Sequence, residues 1–308
     1  GLRHTLEPPA TSVPSVRWLE LRGRDNNVAA TAVPLDLAPI LREDLFSRVE
    51  TAVLTSATLA DDDSFRYLVS RLGLDDALEP MTGIYASPFD YTRQAILAVP
   101  TDIAAPNADA AAHLQSVVRI ALEVADASDG GIFVLFTSHG DVRLAATEMR
   151  VRGIERRWPL LVHGDDGRDA LLRRFRESGR AVLLGTASFW EGIDVPGRAL
   201  RGLVLAKVPF RVPTEPLTAA HCEEIEKRGG DAFREYMLPN AALRLKQGFG
   251  RLVRTATDHG VVVLCDPRVV TKSYGRGLLS GLPPARRIAA PWARLLEEVR
   301  DFYASCAR

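Results

Sequence analysis

Two arginines and a glutamine late in the chain are spaced so that a helix would gather them on one side. In the segment QGFGRLVR at 247–254, Gln247, Arg251 and Arg254 occupy positions i, i+4 and i+7, which share one helical face. The fork of N–H donors on arginine matches phosphate oxygens. The spacing predicts a helix with an anion-binding face, and a solvated amphipathic helix is the alternative. Three apolar residues lie on the opposite, packing face: Leu245, Phe249 and Leu252.

A second candidate is the polar segment GTASFWEGIDVPG at 185–197, which follows an apolar run. Its glycines permit close backbone approach to a ligand. Glu191 and Asp194 could hold a ribose hydroxyl, a magnesium-bound water or arginines across a cleft. A surface turn with Trp190 packed as a lid is the alternative.

Two further apolar runs, 51–59 and 133–139, end in small hydroxyl side chains. The hydroxyls belong to Thr55, Ser56 and Thr58 in the first run and to Thr137 and Ser138 in the second. Such residues commonly end strands or cap helices, which is the structural alternative. After the second run they could also bond a nucleic-acid phosphate. His139 and His163 are interpreted as structural, because no carboxylate or cysteine stands at a diagnostic spacing from either.

Strand-like apolar runs alternate with amphipathic helical stretches along most of the chain. The expected strands are Thr51 to Leu54, Ala95 to Val99, Gly131 to Phe136, Leu160 to Val162, Ala181 to Leu184, Gly202 to Leu205 and Val261 to Leu264. The expected helices are 110–126, 140–152, 167–178, 217–253 with a break near Gly229-Gly230 or Pro239, and 291–303. A hairpin is expected from Val16 to Leu21 and Val28 to Val33.

This alternation predicts an α/β layered domain with a mainly parallel sheet flanked by helices. Several strands are apolar throughout, as strands covered on both faces are. Ligands of such sheets bind beyond the carboxyl ends of the strands, which is where the candidate residues fall.

Composition sets broad limits. With 308 residues, 46% hydrophobic and 25% charged, the chain has the composition of a soluble globular protein. The sequence lacks an apolar run of the roughly 20 residues that a membrane span needs, so we expect a cytoplasmic protein without a membrane partner. Its three cysteines are too dispersed for a disulfide framework, a metal site or an iron-sulfur site. Because the net charge is zero, any phosphate-binding surface must be local.

Taken in order, the candidate segments resemble the later motifs of superfamily 2 helicases, most closely the DinG branch of the XPD-like DNA helicases. TSATL at 55–59 resembles motif III, LFTSH at 135–139 motif IV, GTASFWEGIDVPG at 185–197 motif V and QGFGRLVR at 247–254 motif VI. Two further segments also resemble the family's sequences, VPFRVPTEPL at 208–217 and DHGVVVLCDPR at 258–268. The resemblance covers roughly residues 16 to 290, and the ordered set is specific.

The resemblance implies a RecA-like helicase domain 2, preceded by the hairpin and by a strand returning from helicase domain 1. The implied divisions are a linker at 1–15, a tail of helicase domain 1 with motif III at 16–80, helicase domain 2 with motifs IV to VI at 81–290, and a C-terminal helix at 291–308.

The resemblance also implies a role for each candidate residue. Arg251 and Arg254, with Gln247 beside them, would reach the γ-phosphate of ATP. The nucleotide cleft would be lined by Glu191, Gly192 and Asp194, and single-stranded DNA would contact Thr137, Ser138, Ser188 and Trp190. The residues expected to couple hydrolysis to domain movement are Thr55, Ser56 and Thr58.

The sequence contains no Gly-Lys pair, and so no G-x-x-x-x-G-K-[ST] loop to cradle phosphates. We therefore expect a helicase's carboxyl-terminal half, inactive as an ATPase alone, whose partners are single-stranded DNA and helicase domain 1 of the same protein. That domain would bind most of the ATP and Mg²⁺ and could carry an iron-sulfur cluster. The resemblance implies 5′ to 3′ unwinding.

Two other functions stay open. The first is a motor-derived module that binds nucleic acid or protein without catalysis. The second, less supported, is a metal-dependent nuclease or other hydrolase using Glu191 and Asp194. Two-metal chemistry needs further acidic or histidine ligands, and the sequence shows no such cluster around these residues.

Overall fold

A computed structural model describes most of the chain. The described residues are 15–22, 27–56, 58–60, 64–74, 78, 80–186, 195 and 199–306. The chain divides into two compact units, of which the first joins residues 1–85 to 210–243 and the second joins 86–209 to 244–308. This division differs from the contiguous boundaries expected from the sequence, because 210–243 groups with the first unit and the C-terminal helix belongs to the second.

The described residues form strands and helices with these bounds. The strands are β1 (Ser15–Arg22), β2 (Asn27–Pro34), β3 (Ala95–Pro100), β4 (Ile132–Phe136), β5 (Leu160–Val162), β6 (Val182–Thr186), β7 (Gly202–Leu205), β8 (Gly260–Leu264) and β9 (Arg286–Ala290). The α-helices are α1 (Ala38–Asp44), α2 (Arg66–Leu72), α3 (Tyr91–Gln94), α4 (Ala110–Ser128), α5 (His139–Val151), α6 (Arg168–Ser178), α7 (Pro216–Lys227), α8 (Leu238–Phe249), α9 (Arg268–Thr271), α10 (Gly275–Ser280) and α11 (Trp292–Cys306).

The second unit is built on a parallel sheet. Within the described part of the chain, seven strands pair in the order β5-β6-β4-β7-β8-β3-β9, and every pairing is parallel. Ile132 of β4 faces Val182 of β6 on one side and Gly202 of β7 on the other. The predicted α/β fold with a mainly parallel sheet is confirmed.

Burial explains why these sequences fold as strands and helices. Every residue of β3, β4, β6 and β8 is buried, as expected for strands covered on both faces. On α5 the buried residues recur at helical spacing: Val142, Ala145, Ala146 and Met149. Each large apolar side chain removed from water contributes about 1.5–3 kcal/mol, so this core stabilises the sheet that carries the candidate site.

Helix ends in the second unit are set by short polar side chains. The Asp109 carboxylate accepts the N–H of Ala112 at 2.9 Å and starts α4. The Ser138 hydroxyl accepts the N–H of Asp141 at 3.0 Å and starts α5. Such caps satisfy N–H groups that have no partner within the helix.

The first unit contains the predicted hairpin. β1 and β2 pair antiparallel, with Ser15 opposite Pro34 and Arg22 opposite Asn27. A small apolar cluster lies in residues 210–243 of this unit and consists of Ile225, Ala232, Tyr236 and Met237.

The predicted strand from Thr51 to Leu54 is wrong, because residues 51–56 have no regular secondary structure. They are also exposed, with Val53 80% accessible. A strand requires a neighbour for its backbone hydrogen bonds, and no described residue pairs with this segment.

The long helix expected over 217–253 is two helices in the structure. The break falls at Gly229, whose φ of 79° suits glycine. Pro239, the other suggested break, is the second residue of α8, directly after a π-helical turn over Phe233–Met237. Proline has no N–H to donate to the preceding turn, and the helical run accommodates it directly beside this wider π-helical turn.

Several elements escaped the sequence-based prediction. β9 is an edge strand with exposed Arg286 and Arg287, so it lacks the apolar run that marked the other strands. Short helices such as α1 and α2 bury no residue fully and therefore leave a weak periodic signal.

Among the described residues, no helix has both the length and the apolar character needed to cross a bilayer.

Candidate functional site

Polar residues meet at the carboxyl edge of the parallel sheet. Thr137 and Ser138 follow β4, His163 follows β5 and Thr186 ends β6. Ser138 is exposed and Thr137 half-buried, and the Ser138 hydroxyl is engaged in capping α5. The parallel pairing of β5, β6 and β4 places these residues on one edge of the second unit.

His163 connects three parts of this edge. Its Nδ1 lies 3.3 Å from the Thr186 hydroxyl, and its ring lies 4.7 Å, centre to centre, from that of His139. Burial lowers the pKa of His163, and the nearby charges of His139 and Arg168 lower it further. These contacts favour the structural role expected for both histidines.

Lys207 is a residue of this edge that the sequence analysis missed. It comes two residues after β7 ends, and its ammonium lies 3.3 Å from the Asp141 carboxylate, with both side chains near 30% exposed. The ion pair joins the end of β7 to the first turn of α5. Its signal in the sequence is a lysine, one of few in the chain, directly after an apolar strand.

The long loop after β6 lies mostly outside the described residues. Ser188, Trp190, Glu191, Gly192 and Asp194 are all in this part, so their predicted roles stay predictions. Within this stretch Val195 is described, and its side chain is buried.

The arginine segment has a different geometry from the predicted one. α8 ends at Phe249, and the chain continues in tighter turns in which Arg251 N bonds Gly248 O and Leu252 N bonds Phe249 O, both at 3.1 Å. Gln247 is on the helix and Arg251 on its terminal turn, whereas Arg254 lies beyond it. The prediction of one helical face carrying all three side chains is wrong.

Asp258 fixes the chain beyond this ending. One oxygen of its buried carboxylate accepts the N–H groups of Arg254 and Thr255, each at 2.9 Å. These N–H groups would otherwise bond carbonyls of a continuing helix. A short acidic side chain competes with helix hydrogen bonds in this way.

The packing side of the segment is as predicted. Leu245, Phe249, Leu252 and Val253 are all buried, while Gln247 and Arg251 are half-buried and Arg254 is exposed. The buried side chains anchor the segment to the second unit. Arg254 therefore extends from an anchored backbone and can reach a ligand.

Gln94 and Tyr91, which lie just before β3, contact residues 249–258, here named the arginine turn, and neither was predicted. The Gln94 amide donates to Thr255 O at 2.9 Å and to Asp258 O at 2.7 Å. The ring of Tyr91 lies 6.1 Å from that of Phe249. Burial raises the pKa of Tyr91, and the positive charge of Arg254 opposes the rise. Gln94 leaves no signal in the sequence, because its partners are about 160 residues later.

The hydroxyl residues 55–58 belong to the first unit. The hydroxyls of Ser56 and Thr58 lie 3.2 Å apart, and Thr58 N donates to the Ser56 hydroxyl at 3.3 Å. Thr55 is exposed. These contacts join Ser56 to Thr58 locally, and the coupling role stays a prediction.

In the described part of the chain, no group of three or more His, Cys, Asp or Glu side chains is placed to hold a metal ion. The arrangement can instead present positive charge and hydrogen-bond donors to an anion.

Comparison with known proteins identifies the family. Residues 121–285 match the family described as the helicase C-terminal domain, which covers more than half of the chain. The chain belongs to this family. The match includes the sheet from β4 to β8 and the arginine turn.

Named relatives of this helicase domain agree with the motif resemblance. The chain is 40% identical over 271 residues to "ATP-dependent DNA helicase YoaA" of Escherichia coli, covering 88% of this chain and 41% of the relative. It is 36% identical over 273 residues to "3'-5' exonuclease DinG" of Bacillus subtilis, covering 86% of this chain and 29% of the relative. The resemblance to DinG-type helicases is confirmed, and the chain spans well under half of these relatives.

A solved structure shows the same fold. The structure titled "XPD_Helicase" superposes with a TM-score of 0.59 at 12% identity, covering 86% of this chain and 47% of that one. The parallel sheet flanked by helices is the RecA-like helicase fold, as predicted.

Proposed function

We propose that this chain is the carboxyl-terminal part of a longer ATP-dependent DNA helicase that unwinds DNA in the 5′ to 3′ direction. The observation that carries the proposal is the arginine turn, in which exposed Arg254 extends from a backbone fixed by buried neighbours and by Asp258. Its occurrence in a helicase C-terminal domain makes a nucleotide phosphate the natural anion.

In this proposal Arg251 and Arg254, with Gln247, contact the γ-phosphate of ATP held by helicase domain 1. Arginines in this role stabilise the charge that spreads over the phosphoryl oxygens during transfer, and arginine fingers generally raise turnover by about 10³ to 10⁵. Glu191, Gly192 and Asp194 would line the same cleft. Mg²⁺ and any iron-sulfur cluster would be held by the other part of the protein.

The same proposal assigns the carboxyl edge of the sheet to single-stranded DNA. Thr137 and Ser138 lie at that edge with hydroxyl and backbone donors that suit phosphate oxygens. Ser188 and Trp190 would extend the DNA contact, and Thr55, Ser56 and Thr58 would couple hydrolysis to domain movement.

The test is Arg254→Ala in the full-length helicase. We expect DNA-stimulated ATP turnover to fall at least about a thousandfold, while ATP binding stays nearly unchanged because helicase domain 1 provides the phosphate cradle. Turnover and nucleotide affinity are measured separately. Arg173→Ala is the matched control, since Arg173 is an exposed arginine on α6 and should leave both unchanged.

Normal turnover by a folded Arg254→Ala protein would overturn the proposal. DNA binding by the full-length protein without any ATP hydrolysis would instead favour the noncatalytic binding module.

A further inference from the structure

We propose that Asp258 and Gln94 are positioning residues that hold Arg254 where it acts on the phosphate. The inference rests on the proposed function and deepens it, because it explains how an arginine outside the helix keeps a defined place. Neither residue contacts the reacting atoms in this proposal. They act through the backbone of the turn from Arg254 to Asp258.

The turn is hydrogen-bonded from both sides. A single carboxylate oxygen of Asp258 accepts two N–H groups, those of Arg254 and Thr255, at 2.9 Å each. The Gln94 amide donates hydrogen bonds to the carbonyl oxygens of Thr255 and Asp258, at 2.9 and 2.7 Å. The turn is closed by Asp258 N, which donates to Thr255 O at 3.2 Å.

Burial makes these bonds strong constraints. Asp258 is 6% and Gln94 9% exposed, so water competes poorly for their polar atoms. A hydrogen bond to a charged group is worth more than a neutral one, and a buried group that loses its partner has no substitute. The backbone at Arg254 therefore has little freedom to move.

The residues on either side of the turn are fixed as well. Val253, which directly precedes the turn, is fully buried. Gly260 begins β8 after it, where a Cβ atom would lie 2.3 Å from Arg201 O, so the strand starts in close contact with its neighbour. Among the described residues from Val253 to Gly260, Arg254 is the only exposed arginine or lysine.

This arrangement fixes the backbone position of Arg254 before any nucleotide reacts. A donor stabilises a transition state best when its position is fixed before the reaction, and a displacement of about 1 Å can cost about a hundredfold in rate. Removing Asp258 should therefore affect the chemical step rather than nucleotide binding.

The test compares Asp258→Ala, Asp258→Asn and Gln94→Ala in the full-length helicase. For Asp258→Ala we expect the kcat of DNA-stimulated ATP hydrolysis to fall about ten- to a hundredfold, with KM for ATP within about twofold of wild type because only transition-state contacts change. Asp258→Asn keeps an acceptor oxygen and should recover most of the kcat. Gln94→Ala should lower kcat several-fold at unchanged KM.

Asp109→Ala is the matched control. Asp109 is also an aspartate that accepts a backbone N–H, but at the start of α4. Its loss should lower the thermal midpoint without changing kcat. A merely structural Asp258 would behave in the same way.

The outcomes separate this inference from the proposed function. Unchanged turnover in Arg254→Ala would overturn both. Loss of turnover in Arg254→Ala with unchanged kcat in Asp258→Ala overturns the positioning role alone, as does a change confined to KM. If Asp258→Ala fails to fold, Gln94→Ala decides, and an unchanged kcat there overturns the inference.

Discussion

His221 of the first unit is held in its neutral form by its surroundings. The Arg71 guanidinium lies 3.3 Å from its Nε2, and the Tyr236 ring lies 4.7 Å from its own, centre to centre. Burial, then Arg71 and Arg211, lower its pKa to about 4, with Asp36 opposing. Since Arg71 can only donate, the histidine nitrogen accepts this hydrogen bond.

The pH dependence of stability follows from this shift. In the unfolded chain a histidine titrates near pH 6.5, so between about pH 6.5 and 4 the unfolded state binds the additional proton. The stability that neutral His221 contributes is complete above pH 6.5 and is lost as the pH falls toward 4. We expect urea midpoints of the chain to fall over this range more steeply than those of His221→Phe. Parallel pH profiles for the two proteins would show that His221 is not the group responsible.

At the residue scale, types and spacing single out Arg251 and Arg254 as candidates but do not place them. The i, i+4, i+7 pattern assumes a continuing helix, and it fails because the chain leaves the α-helix after Phe249 and Asp258 then accepts the N–H groups of Arg254 and Thr255. Gln94 could not have been selected, because its two acceptors are brought to it only by the pairing of β3 with β8.

The helix α11 shows how an element outside the motifs supports the sheet. It packs against α4 and β3 through side chains at helical spacing: Trp292, Leu295, Val299 and Tyr303. The Tyr303 hydroxyl donates to Arg201 O at 2.6 Å, which ties the helix to the start of β7.

Leu295→Ala tests this support. Leu295 is completely buried, so the truncation should cost about 2–5 kcal/mol of unfolding free energy through lost burial and a cavity. Its exposed neighbour is the control, since Arg294→Ala should change stability by no more than about 0.5 kcal/mol. Urea denaturation followed by circular dichroism measures both. Equal effects of the two substitutions would contradict the packing of α11.

At the element scale, strands buried on both faces were predictable because continuous apolar runs are typical of them. The exposed edge strand β9 was not, since Arg286 and Arg287 interrupt the pattern. The apolar run at 51–54 gave the same signal as a buried strand, yet pairing depends on a neighbour that the described residues do not supply.

At the scale of the molecule, the first unit exposes large apolar side chains. Val53, Met81 and Tyr85 are 80%, 100% and 92% accessible. Exposed apolar surface of this kind commonly marks an interaction site, and in the proposed function the rest of helicase domain 1 would cover it.

The chain alone should therefore hydrolyse ATP negligibly, with or without DNA. The phosphate cradle would belong to helicase domain 1, and arginines supplied from one side of a cleft cannot replace it. Steady-state phosphate release from the purified chain measures this, with the full-length helicase as the positive control. Robust DNA-stimulated turnover by the chain alone would contradict the assignment of the phosphate cradle to helicase domain 1.

The strand order has a consequence for synthesis on the ribosome. β3 emerges first among the strands of the large sheet, but it pairs only with β8 and β9 among the described strands, and β8 begins at Gly260. Until that residue is made, β3 has no neighbour in its sheet, and the first unit likewise waits for 210–243. Each unit can close only late in translation, so a nascent chain stalled before β8 would expose a strand that is fully buried in the finished protein.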